Sequence, residues 1–138
     1  MFYSPLLLAL ACSISGSQIE SFATVTLGAP YILEPPLDFV VDSVHLIQVK
    51  EVLDNRISEL QLCYRERLLE NPKLSGEVVI HALISTDGLS IEQCITKDTV
   101  EDEGIRSCVN RFISEGQYPP SDSQSGNITF PFVFTSVL

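Results

Sequence analysis

Asp87-Gly88, set between two stretches of alternating apolar residues, constrains the fold of this chain more than any other feature. Asp-Gly between strands predicts a tight antiparallel hairpin, because both turn positions of a two-residue connection need positive φ. The first arm opens at Gly76 and puts Val78, Ile80, Ala82 and Ile84 on one face. Glu77, Val79, His81 and Leu83 form the mixed face opposite. This period of two is that of a strand with one buried side. The return arm is expected over about residues 89–96, with Leu89, Ile91 and Ile95 on one face and Cys94 on the other.

A hairpin cannot cover its own apolar face, so the flanking segments decide the architecture. Upstream, from about Gln48, Val49, Leu53, Ile57, Leu60, Tyr64 and Leu68 recur at intervals of three and four. Val52 and Cys63 widen that stripe, while Lys50, Glu51, Asp54, Ser58, Glu59 and Glu66 take the other side. The pattern predicts one long amphipathic helix, stopped by Asn71-Pro72 because proline lacks the helical N–H. Downstream, a second helix is expected over about residues 100–115, with Ile105, Cys108, Val109, Phe112 and Ile113 as its apolar stripe. Asp98 or Thr99 is placed to cap it, and Glu101, Asp102 and Glu103 suit its positive end. Gly116 stops it, and Tyr118-Pro119-Pro120 leads through a polar loop to the strict alternation of Ile128, Phe130, Phe132 and Phe134. Pro131 removes a backbone donor from that last strand, which should confine it to a sheet edge or a bulge.

The element order is therefore helix–strand–strand–helix–strand. Its simplest packing is α+β, with two helices on one face of a three-stranded antiparallel sheet. Hydrophobic residues make up 45% of the chain, enough for a core in one domain of this size. The formal charge of −10, from 18 acidic against 8 basic residues, would repel a phosphate backbone, and no basic stripe offsets it. Nucleic acid is therefore disfavoured as a partner.

The N-terminal part reads differently. Leu6 to Ala11 is an apolar run too short to span a bilayer and of the length of a signal-peptide apolar region. Ala9-Leu10-Ala11-Cys12 resembles a bacterial lipobox, whose cysteine is acylated and becomes the new N-terminus. Ser13 after it favours the outer membrane by the same resemblance. An ordinary cleaved signal, or a buried segment, is the alternative. Residues 1–18 are thus expected to be a signal, 19–42 a proline-containing tether with a short strand or clasp at Phe39-Val40-Val41, and 43–138 the folded domain.

Several motifs in order resemble the AgmX/PglI C-terminal domain, a TonB/TolA C-terminal-like family of bacterial envelope proteins. Cys63-Tyr64, Pro72-Lys73-Leu74-Ser75-Gly76-Glu77-Val78, Asp87-Gly88, Thr99, Cys108-Val109, Tyr118-Pro119 and Phe130-Pro131-Phe132 carry the likeness. Ser90 and Gln93 depart from it, and Cys94 is not a position of the family's pattern. The resemblance implies a TonB-like fold and an exported module that binds envelope proteins, as in motility and trans-envelope complexes. It brings no catalytic residues.

In that fold the two helices are neighbours, so Cys63 and Cys108 are expected to form a disulfide, which leaves Cys94 either a partly buried free thiol or paired with another molecule. His45 and His81 are far apart in sequence, and the acidic run Asp98–Glu103 fits helix capping better than an EF-hand. No metal, cofactor, small-molecule substrate or enzymatic activity is expected. The expected partner site is the last strand as a sheet edge, flanked by Thr129, Val133 and Thr135, onto which an extended segment of an envelope protein adds. The competing role is a structural lipoprotein that packs into an envelope assembly through its helices.

Overall fold

The computed structural model describes residues 23–32, 43–120 and 127–136. In chain order these form strands β1 (Ala23–Leu27) and β2 (Tyr31–Ile32), helices α1 (Ser43–Asp54) and α2 (Ile57–Glu70), strands β3 (Gly76–Ile84) and β4 (Ser90–Asp98), helix α3 (Glu103–Ser114), and strand β5 (Asn127–Ser136). The fold is α+β. Its antiparallel sheet runs β1-β5-β3-β4, and β2 pairs with β5 beyond the end of β1.

The alternating apolar residues explain where the core sits. Phe130, Phe132 and Phe134 of β5 lie beside Ile80, Val78 and Gly76 of β3, and all three rings are fully buried. On the other side of β5, Val25 and Leu27 of β1 face Phe134 and Phe132. Helix α2 packs over β1, and α3 over β3 and β4. The Tyr64 ring meets Phe134 edge-on at 5.2 Å, and Phe112 meets Phe132 at 5.9 Å. Burying one such ring stabilises the fold by roughly 1.5–3 kcal/mol, with about 1 kcal/mol more from the edge-to-face geometry.

Several expectations are corrected by this arrangement. The sheet has more than three strands, because Ala23–Leu27 is no tether. Its buried and exposed residues alternate along the whole strand, and it pairs with β5 from Ala23↔Ser136 to Leu27↔Phe132. The single long helix is two. Asn55 and Arg56 break it, with the Arg56 N–H bonding to Leu53 O and the Glu59 N–H to Arg56 O, each three residues back. Arg56 leaves helical geometry (φ −109°, ψ 3°), donates to Phe112 O at 3.1 Å and lies 4.8 Å from the Phe112 ring centre. That long-range anchor outweighs the regular turn, while the apolar period runs through the break unchanged.

The hairpin turn is also different in kind. Only Gly88 has positive φ (89°); Asp87 does not. The Gly88 N–H bonds to Ser85 O, and Ser85 N–H to Leu89 O, which makes a three-residue loop with glycine at its left-handed position. A Cβ on Gly88 would lie 2.0 Å from Tyr118 O, so the same glycine also admits the Tyr118 backbone, whose N–H bonds to Gly88 O.

Strand β4 departs most. Its register against β3 shifts twice, near Ile91 and near Thr96. Ile95, Gln93 and Ser90 consequently face the helix side, beside Ile80, Ala82 and Ile84, and Ser90 Oγ bonds to Gln93 Oε1 at 2.9 Å. Leu89 and Ile91, expected to share Ile95's buried face, are both exposed, Ile91 at 63%. A one-residue bulge exchanges the faces of every side chain beyond it.

Candidate interaction surface

Strand β5 is interior, with β3 on one side and β1 and β2 on the other. The expected edge site at Thr129, Val133 and Thr135 is therefore overturned. Their register partners are His81 and Tyr31 for Thr129, Glu77 and Thr26 for Val133, and Thr24 for Thr135. Thr129 and Val133 are paired on both sides and Thr135 is paired with Thr24, so this stretch is not an edge that an added strand can extend. Thr129 is 1% exposed, and its hydroxyl has no hydrogen-bond partner among the described residues.

Pro131 pointed to an edge for a sound reason that holds only locally. Its carbonyl accepts from the Gly28 N–H at 2.9 Å. The N–H that proline lacks would point the same way, because an antiparallel residue directs both groups to one neighbour. That neighbour is the short gap between β1 and β2. The missing donor thus falls where pairing has already lapsed.

The open edges among the described residues are those of β1 with β2, and of β4. The first is broken at Gly28–Pro30 and has a run of five paired residues. Strand β4 runs for nine residues and pairs with β3 alone. On its outer face Glu92 lies opposite Leu83, Cys94 opposite His81, and Lys97 opposite Val79. Cys94 is an exposed free thiol. An open groove lined by Ile95, Thr96, Lys97, Asp98, Glu101 and Arg106 lies at the end of this edge. Its two cations are already engaged, Lys97 with Glu77 at 2.8 Å and Arg106 with Asp98. Each of those carboxylates holds the proton on its partner more firmly and raises that partner's pKa.

Helix α3, which packs behind this edge, is tied to α2. Cys63 of α2 and Cys108 of α3 form a disulfide, with Cα atoms 6.6 Å apart. It closes a separation of 45 residues, which restricts the unfolded chain by about 4 kcal/mol on the loop-entropy estimate. Beside it, Asp102 performs two tasks. It caps α3 by accepting from the Ile105 N–H at 3.0 Å, and it receives the Arg67 guanidinium through two bonds of 2.9 and 3.1 Å. Arg67 is the chief reason the Asp102 carboxyl is held below the usual carboxylate range. Asp98, expected to cap this helix, instead accepts from the Val100 and Glu101 N–H groups and shapes the turn before it.

Most residues that carry the family resemblance have scaffold roles in this structure. The Tyr64 hydroxyl donates to Leu74 O at 2.6 Å, tying the helix end to the loop before β3. Thr99 Oγ1 accepts from the Glu77 N–H at 2.8 Å, and Gly76, at φ 142°, leaves room for it. The Tyr118 hydroxyl donates to Ile113 O at 2.6 Å, and burial raises its pKa. His45 Nε2 lies 3.0 Å from Pro119 O.

A cavity of about 50 Å³ adjoins the disulfide, lined in part by Glu59, Arg111 and Phe112; it is far smaller than a metabolite pocket. Among the described residues, no group of three His, Cys, Asp or Glu side chains could hold a metal, and no helix is long and apolar enough to cross a membrane. Cys12, its signal segment and Phe39–Val41 lie outside the described residues. Compared with family models, curated proteins and solved structures, the chain matches none.

Proposed function

We propose that this chain is a non-catalytic interaction module of the bacterial envelope, an adaptor or scaffold of the AgmX/PglI C-terminal, TonB-like type. In this reading it is exported and held by acylation of Cys12, as an outer-membrane lipoprotein facing the periplasm. Its partners are envelope proteins, in a motility or other trans-envelope complex.

The observation that carries the interaction role is the β4 edge. It is long, open among the described residues and backed by α3, which a disulfide ties to α2. An added strand gains main-chain hydrogen bonds from such an edge without any rearrangement of the core. The disulfide supports export, since such bonds persist in oxidising compartments. The ordered motifs quoted above support the family reading.

The second reading, an assembly protein that packs through its helices, has its own observation. Leu62 and Leu69 stand one heptad apart on α2 and are both exposed, Leu69 at 80%, and Val44 and Ile47 are exposed on α1. Photo-crosslinking in the native cell separates the two. Probes at Glu92 and Thr96 on β4 should give discrete protein adducts, while Thr135 on β5 gives none. Adducts confined to Leu62 and Leu69 would replace the edge reading with the assembly one.

A further inference from the structure

The outer face of β4 has a property that selects among occupants of its edge. Glu92, Cys94 and Lys97 are not evenly spaced in sequence, yet their partners Leu83, His81 and Val79 are, at every second residue of β3. The bulge near Thr96 absorbs the extra residue. Along the edge the exposed groups therefore read acid, thiol, base at equal steps. That order is its own complement when the strand is turned end for end. About a two-fold axis at Cys94, Glu92 faces Lys97 of a second copy, Lys97 faces that copy's Glu92, and the two thiols meet; each Lys97 would then lie between its own Glu77, 2.8 Å away, and the second copy's Glu92.

We infer that the β4 edge pairs antiparallel with β4 of a second copy of this chain, centred on Cys94. This rests on the reading of β4 as a strand-accepting edge and names its occupant. Directly opposed antiparallel residues have Cα atoms about 4.5–5.5 Å apart, within the range about 4.4–6.8 Å that a disulfide bridges. Two chains of net charge −10 repel each other over most of their surface, so local alternation of sign matters more here than in a neutral protein. Like charges directly opposed across strands are destabilising, and opposed unlike charges stabilise. The regular stretch between the bulges runs from Glu92 to Ile95, so the contact is short, and Lys97 reaches Glu92 of the second copy from just beyond the Thr96 bulge. A linkage through Cys94 then makes it durable.

The test uses the purified full-length chain with glutathione disulfide. Two Cys94 thiols lose two protons and two electrons as the inter-chain bond forms, and glutathione disulfide leaves as two thiols. The expected product is a dimer linked Cys94 to Cys94, mapped by peptide mass spectrometry and absent in C94S. E92K opposes lysines across the axis and should slow linkage on the order of tenfold, from two like-charge contacts. Yet E92K makes the whole chain less negative, so general repulsion alone predicts faster linkage. E77K/E92K/K97E keeps an ion pair between positions 77 and 97, restores the unlike pairs at the same net charge as E92K, and should recover the wild-type rate. A monomer with Cys94 merely glutathionylated, or E92K linking as fast as wild type, overturns the proposal. If β4 probes still capture a different protein in the cell, the adaptor reading survives that loss. A dimer without adducts at β4 to any other protein has the converse meaning.

Discussion

Strands β5 and β4 flank β3 on opposite sides, and they obey different rules. In β5 the inward residues Ile128, Phe130, Phe132 and Phe134 are apolar and fully buried, while its outward face passes from buried Thr129 to exposed Val133 and Thr135. In β4 the inward positions include Ser90 and Gln93, and its exposed apolar residue, Ile91, points away from the core. Strict alternation marks a strand locked between neighbours, where a slip of one residue would turn all three phenylalanines to water. Broken alternation with two bulges marks a strand whose register is fixed locally and whose far side is unused. The difference separates the part of the molecule that stores stability from the part available for contact.

Substitutions can break or sharpen that contrast. The largest effect is expected at the centre of β5, where Phe132→Ala should cost about 3–5 kcal/mol in denaturant unfolding. A loss below about 1 kcal/mol would mean that β5 is not the core strand. Replacing Cys63 and Cys108 by serine should lower stability by up to about 4 kcal/mol, with C94S left near wild type. Equal melting of all three proteins would remove the helix clamp from the account.

Asp102→Ala should cost about 1–2 kcal/mol at neutral pH, through the lost cap and a partly exposed ion pair. The sign of its pH dependence is fixed by the lowered carboxyl pKa. The stabilisation is complete above the unfolded value near 4 and is lost as pH falls through the lower folded value. The wild-type stability curve should thus fall more steeply on its acid side than that of Asp102→Ala, and parallel curves would refute the assignment. The smallest effect is expected at the edge, where Ile91→Ser should change stability by less than about 0.5 kcal/mol. A cost above about 1 kcal/mol would show that Ile91 is packed after all.

What the sequence disclosed follows the same division. The faces of β3, β5 and α3 were legible because each has one apolar side at an unbroken period. The Cys63–Cys108 pairing followed from two helix faces and the helix neighbourhood that the family likeness implied. Strand β1 was overlooked although Ala23-Thr24-Val25-Thr26-Leu27 alternates cleanly, because the prolines after it set the reading of the whole segment. Its omission carried the error about β5, since a strand's neighbours are long-range facts that its own residues do not record. The break at Asn55-Arg56 was hidden for a similar reason, as its anchor, Phe112, lies far along the chain.

The pairing of Ala23 with Ser136 brings the beginning of β1 and the end of β5 to one corner of the sheet. Tension applied between those two ends would load their hydrogen bonds one after another, as in opening a zipper. Tension between the start of β1 and the β4 edge would instead pull across the sheet, where whole ladders share the load. The Cys63–Cys108 bond lies outside β1, so β1 can peel away while the clamped helices hold. A domain wired in this way yields first at the corner where β1 meets the end of β5 and last at β4.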